Sequence, residues 1–74
     1  MNKVEIKGTV YSYGVSSHEV EICLKNQEGF FKVVAVMIRE DIVRLGYGVE
    51  VCVRGKLRGF DGLCYIVADV VEFV

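Results

Sequence analysis

The sequence has no proline and no tryptophan, one histidine and three cysteines. Cys23, Cys52 and Cys64 form no CxxC pair, and His18 stands beside Glu19 in turn-like sequence, where a surface histidine is expected. A structural zinc site needs four ligands in close pairs, so these residues exclude one; they read as reduced cysteines of a cytoplasmic protein. Long apolar runs are also missing. The longest, residues 33–38 and 63–68, fall far short of the roughly 20 residues a bilayer-spanning helix needs. The opening Met1-Asn2-Lys3 leads into charges at every second position, unlike a signal or transit peptide. No Ser-His-acid set, carboxylate pair or phosphate-cradling glycine loop is present. The chain therefore reads as a non-enzyme with no cofactor and no metal.

What is present is apolar. The chain has 74 residues, 53% of them hydrophobic, with a mean hydropathy of +0.39. That length supports one domain, residues 1–74, near the lower limit for a single core. So small a core cannot hide every apolar side chain, and a homo-oligomer is expected. The net charge of −1 offers no bulk positive field. Any anion site must come from local clustering of the nine lysines and arginines.

No repeat, low-complexity stretch or linker divides the sequence. Val4, Ile6 and Val10 alternate with Lys3, Glu5, Lys7 and Thr9, the period of a half-buried strand with Gly8 as a bend. Lys3 and Lys7 around Glu5 suit a soluble sheet edge or an intersubunit surface. Turn residues at 13–18 precede a second alternation, Val20, Ile22 and Leu24, and "NQEG" (26–29) closes a hairpin. "FFKVVAVMI" (30–38) is apolar on both faces, which predicts a strand covered on both sides. "REDIVRL" (39–45) is the one helical candidate, with acids first, Arg44 late and Gly46 as the stop. Val49–Leu57 and the stretch from Leu63 to the C-terminus complete five strands. The pattern predicts an all-β fold: a five-stranded Greek-key OB-fold barrel with one short helix between strands three and four.

Four segments resemble bacterial single-stranded DNA-binding proteins and the primosomal PriB proteins. "MNKVEIKGTV" is similar to their first strand, "GFFKVVAV" to the third, "GYGVEVCVRGKLR" to the fourth and "IVADVVEFV" to the fifth. The matches come in order and span nearly the whole chain. The resemblance implies non-catalytic binding of single-stranded DNA in replication, recombination or repair. It implies a dimer or tetramer, and replication proteins as further partners. By the same resemblance Phe30 holds the place of a base-stacking aromatic, Lys32 a basic position on its face, and Phe60 the aromatic of the last hairpin. The chain departs from the family in its short hairpins, its lack of tryptophan and its lack of an acidic tail.

Strand parity tests whether rings and cations share a surface. With Val33, Ala35 and Met37 inward, Phe30, Lys32, Val34 and Val36 face out. With Val49, Val51, Val53 and Leu57 inward, Arg54, Lys56 and Arg58 face out and lead to Phe60. Tyr11 and Tyr13 are expected outside the core, against bases or a second subunit, whereas Tyr47 and Tyr65 are expected to serve packing. The nucleic-acid-binding set is thus Phe30, Lys32, Arg54, Lys56, Arg58, Phe60, Tyr11 and Tyr13. A solvated strand face is the alternative for the cations. At the level of the whole chain, the alternative is a protein-interaction OB-domain. No residue distinguishes RNA from DNA.

Overall fold

Strand β1 (Lys3–Ser16) is 14 residues long and serves two partners in turn. Its first half pairs with β4 (Glu50–Phe60) and its second half with β2 (Glu19–Asn26). The computed structural model describes residues 2–60 and 62–74, the side chain of Phe60 excepted. With β3 (Gly29–Val36), α1 (Arg39–Ile42) and β5 (Leu63–Phe73), the strands close into a barrel of order β1-β2-β3-β5-β4. All ladders are antiparallel except β3–β5, a short parallel contact of Val33 with Ile66 and Val34 with Val67. This is the expected Greek-key barrel.

The change of partner along β1 occurs at Thr9, which faces both Glu50 and Lys25. Gly8 permits it, because a Cβ there would stand 2.8 Å from the Lys25 carbonyl oxygen. From Lys3 to Gly8 the one ladder of β1 among the described residues is with β4, which leaves Lys3 and Lys7 along an edge as expected. A second close approach lies at Gly55, where a Cβ would press into the Val67 carbonyl. There the β4–β5 register shifts by one residue.

Inward residues fill the barrel: Val20, Ile22 and Leu24 from β2, Val33 and Ala35 from β3, Val51 and Val53 from β4. Parity predicts Leu57 among them, yet it is 40% exposed. Its β5 partner Ile66 is 3% exposed, so beyond the register shift at Gly55 this rung fills the core from β5 and not from β4. On the outer face of β3 Val36 is 80% exposed.

The turns are tighter than the sequence suggests. Residues 13–16 continue β1, and only Ser17 and His18 make the turn, Ser17 with φ of 59°. The helix is shorter than residues 39–45. Beyond Ile42 the bonds tighten to i→i+3, Arg44 N–H to the Asp41 carbonyl and Leu45 N–H to that of Ile42. That tightening turns Leu45 into the core, where it is 7% exposed. The left-handed glycine in this segment is Gly48, at φ of 84°, and not Gly46. Among the described residues no helix is long and apolar enough to cross a membrane.

Candidate nucleic-acid interface

The β2–β3 hairpin sets the first element of the site. Asn26 accepts the Glu28 backbone N–H at 2.8 Å through Oδ1 and donates from Nδ2 to the Lys7 carbonyl at 2.9 Å. This turn places Lys25 directly opposite Phe30. The Lys25 ammonium lies 5.7 Å from the centre of the Phe30 ring. Across β2, a β-bulge between Val10 and Ser12 interrupts β1 at Tyr11. The Tyr11 ring meets Phe30 edge-on, centroids 5.0 Å apart and planes at 73°. Each residue is 58% exposed. Two rings with free surface and a cation beside them are what base stacking requires.

Lys32 follows Phe30 on the same face and is exposed, its ammonium 3.2 Å from Glu21 Oε1. Both line an open groove of about 550 Å³ along the second half of β1, together with Ser12, Ser16, Glu19 and Cys23. On the other side of β3, the register that pairs Val33 with Ile66 puts Tyr65 next to Lys32. The two residues share a smaller cavity of about 320 Å³ with Leu63 and Cys64. Tyr65 in turn pairs with Arg58. A row therefore crosses three strands: Arg58 on β4, Tyr65 on β5, Lys32 on β3.

The structure brings together Tyr11, Phe30, Lys32 and Arg58 from the predicted set. Tyr13 lines the groove with Lys32, and Arg54 is set apart. Arg54 faces Glu5 of β1 and Val70 of β5, and its guanidinium donates to Glu72 Oε1 at 2.6 Å. Lys56 faces Lys3 and Val67. Lys56 reaches β3 as Arg58 does, through Val67, which pairs with Val34. Val70, opposite Arg54, has no β3 partner among the described residues, so Arg54 lies on another wall of the barrel. Alternation along β4 gives these cations a common face, but barrel curvature carries its Arg54 end away from Phe30.

Tyr13 is a second correction. The bulge at Tyr11 reverses parity, so Tyr13 pairs with buried Ile22 and packs on the core, its ring 5.6 Å from that of Tyr47. The expected role of the Phe60 ring lies outside the described residues. Sequence reading missed Lys25 and Tyr65. Lys25 was legible as the outward residue just before the "NQEG" turn, but Tyr65 needed the β3–β5 register.

The remaining chemistry sits on the other wall. Cys52 donates its thiol proton to Glu5 Oε2 at 3.6 Å. Partial burial and then the negative charge of Glu5 push its pKa up. Cys23, Cys52 and Cys64 are all free. Among the described residues no cluster of histidine, cysteine and acids is placed to hold a metal.

Comparison with known proteins places the architecture. No protein-family model matches the chain, and no curated protein matches it in sequence. Solved structures do match. The S. pombe Stn1–Ten1 complex contains a chain that superposes with a TM-score of 0.85 at 16% identity, over 100% of this chain and 59% of its own. A replication protein A heterotrimer bound to single-stranded DNA gives 0.85 at 18% identity, over 100% of this chain and 58% of its own. The chain has the OB-fold. Asparaginyl-tRNA synthetase from Pyrococcus horikoshii carries the same barrel, with a TM-score of 0.85 and 18% identity over 97% of this chain. This chain spans just under three fifths of the length of the first two neighbours and 19% of the synthetase. At such identities the likeness concerns the fold.

Proposed function

We propose that the chain binds single-stranded DNA without catalysing a reaction and serves replication, recombination or repair. The observation that carries this reading is the Tyr11–Phe30 pair, with Lys25 over one ring and Lys32 two residues on. Rings of this kind contribute about 1–3 kcal/mol per stacked base, and a cation beside them such as Lys25 holds a phosphate. Support also comes from the fold shared with replication protein A, whose structure was determined on single-stranded DNA. The four segments similar to bacterial single-stranded DNA-binding and PriB proteins point the same way.

Fluorescence anisotropy with labelled oligo-dT across a salt series tests this directly. Binding is expected to weaken steeply as salt rises, through release of counterions. Absence of binding to a long oligo-dT at low salt would remove the proposal.

A second reading follows from the exposed apolar side chains. Val36 and Val43 are each more than 70% exposed. They suit a second copy of the chain or another protein of a replication complex, in a cytoplasmic assembly. Mass in solution, with capture from nuclease-treated lysate, separates the two readings. A retained partner without any oligonucleotide shift favours the second.

A further inference from the structure

The interface is not uniformly attractive to a phosphate chain. Glu19 and Glu21 both line the groove beside Lys32, which sets two carboxylates against one ammonium. Phosphates placed there would meet net negative charge. They are drawn instead toward Lys25 and Arg58, which leaves the groove to the bases. A base that stacks on Phe30 reaches Lys32, because residues two apart on one strand face are separated by about 7 Å. What it meets there is the Glu21–Lys32 pair.

We propose that the Glu21–Lys32 pair reads the Watson–Crick edge of guanine, giving the chain a preference for guanine-containing single strands. The inference rests on the single-strand reading above. The pair sets a carboxylate and an ammonium side by side, 3.2 Å apart and both well exposed. Guanine alone among the bases carries two adjacent donors, N1–H and N2–H, followed by the O6 acceptor. The two carboxylate oxygens accept from the two donors, and the ammonium donates to O6. Thymine and uracil offer one donor between two acceptors, and so bring an oxygen against the carboxylate. Adenine and cytosine each put a ring-nitrogen acceptor beside their single amino donor. Discrimination therefore comes as much from repulsion of the wrong edge as from attraction of the right one.

The test is fluorescence anisotropy on the full chain. It compares oligo-dT with the same oligonucleotide carrying isolated guanines, or inosines in their place. The guanine probe is expected to bind about fivefold tighter than oligo-dT, the lower end of a bidentate base contact because the pair is exposed. Inosine lacks the 2-amino group and is expected to fall between the two. The ratio should not change with salt, since the probes carry equal phosphates. Glu21→Gln should bring the ratio close to one, by weakening the guanine probe and, with the repulsion of thymine removed, tightening oligo-dT, with circular dichroism confirming the fold. Equal binding of oligo-dT and guanine probes by the unaltered chain overturns the guanine preference and leaves the interface standing. Survival of the preference in both Glu21→Gln and Lys32→Gln also overturns it. Failure of the unaltered chain to bind either probe removes the interface with it.

Discussion

The two halves of β1 border surfaces of opposite chemistry. Along the first half, Lys3, Glu5 and Lys7 alternate opposite Lys56, Arg54 and Cys52, and Glu72 closes the row from β5. That wall holds more cations than the other, yet its most prominent one is spent: Arg54 is bonded to Glu72 and faces Glu5. Along the second half, a bulge and a tight hairpin bring Tyr11, Lys25 and Phe30 together with their ring surfaces open. The difference teaches that a density of lysine and arginine does not by itself mark a polyanion site. What marks one is a cation without a competing acid beside a ring that solvent can reach.

The comparison can be broken at its backbone first. Gly55→Ala, on the charged wall, forces a Cβ into the Val67 carbonyl. Urea denaturation should show a loss of about 3 kcal/mol, as expected for overpacking against backbone. Gly14→Ala, on the groove side, meets nothing within 4 Å and should change stability by less than about 0.5 kcal/mol. Equal losses from the two would mean that β4–β5 packs less closely than described.

Binding sharpens the contrast at the next level. Phe30→Ala should weaken oligo-dT binding about tenfold without altering its salt dependence. Val70→Ala, beside Arg54, should leave binding unchanged. A deficit from Val70→Ala matching that from Phe30→Ala would move the site to the opposite wall.

Charge separates the walls more finely. Arg58→Gln should reduce the slope of log affinity against log salt by about 0.7, the contribution of one phosphate contact on a single strand. Arg54→Gln should leave that slope as it was. Its ion pair with Glu72 is exposed, so stability should move by less than about 1 kcal/mol.

The smallest expected effect concerns Cys52. Its raised pKa keeps the thiol protonated at mildly alkaline pH, so alkylation there should be slower than at exposed Cys64. Glu5→Gln removes the second cause of the shift and should speed Cys52 alone, as mass spectrometry of the labelled peptides would show. On the sign, a group whose folded pKa is raised stabilises the fold below its unfolded pKa. Here that contribution is lost as pH climbs through the folded value.

Much of this was legible in the sequence, for local reasons. Alternation with a period of two put Ile22, Val33 and Val53 inside and Phe30 and Lys32 outside, and burial follows it closely. Five such segments, an interrupting helix and two short turns leave few topologies besides this barrel. Parity misleads at the irregularities. A single bulge at Tyr11 turned Tyr13 inward, and beyond the register shift at Gly55 Leu57 is left uncovered. Neither irregularity leaves a mark in residue type that alternation alone can detect.

The sequence by itself determined which residues face in or out on each strand, since backbone pleat requires only neighbours along the chain. Only the tertiary structure decided which outward faces share a wall. Arg54 and Phe30 have the same parity, but closing five strands into a cylinder points them in different directions. Arg58, only four residues beyond Arg54, joins Lys32 through Tyr65 because a parallel contact of two residue pairs sets that register. Such contacts link residues about thirty positions apart, and no local pattern encodes them.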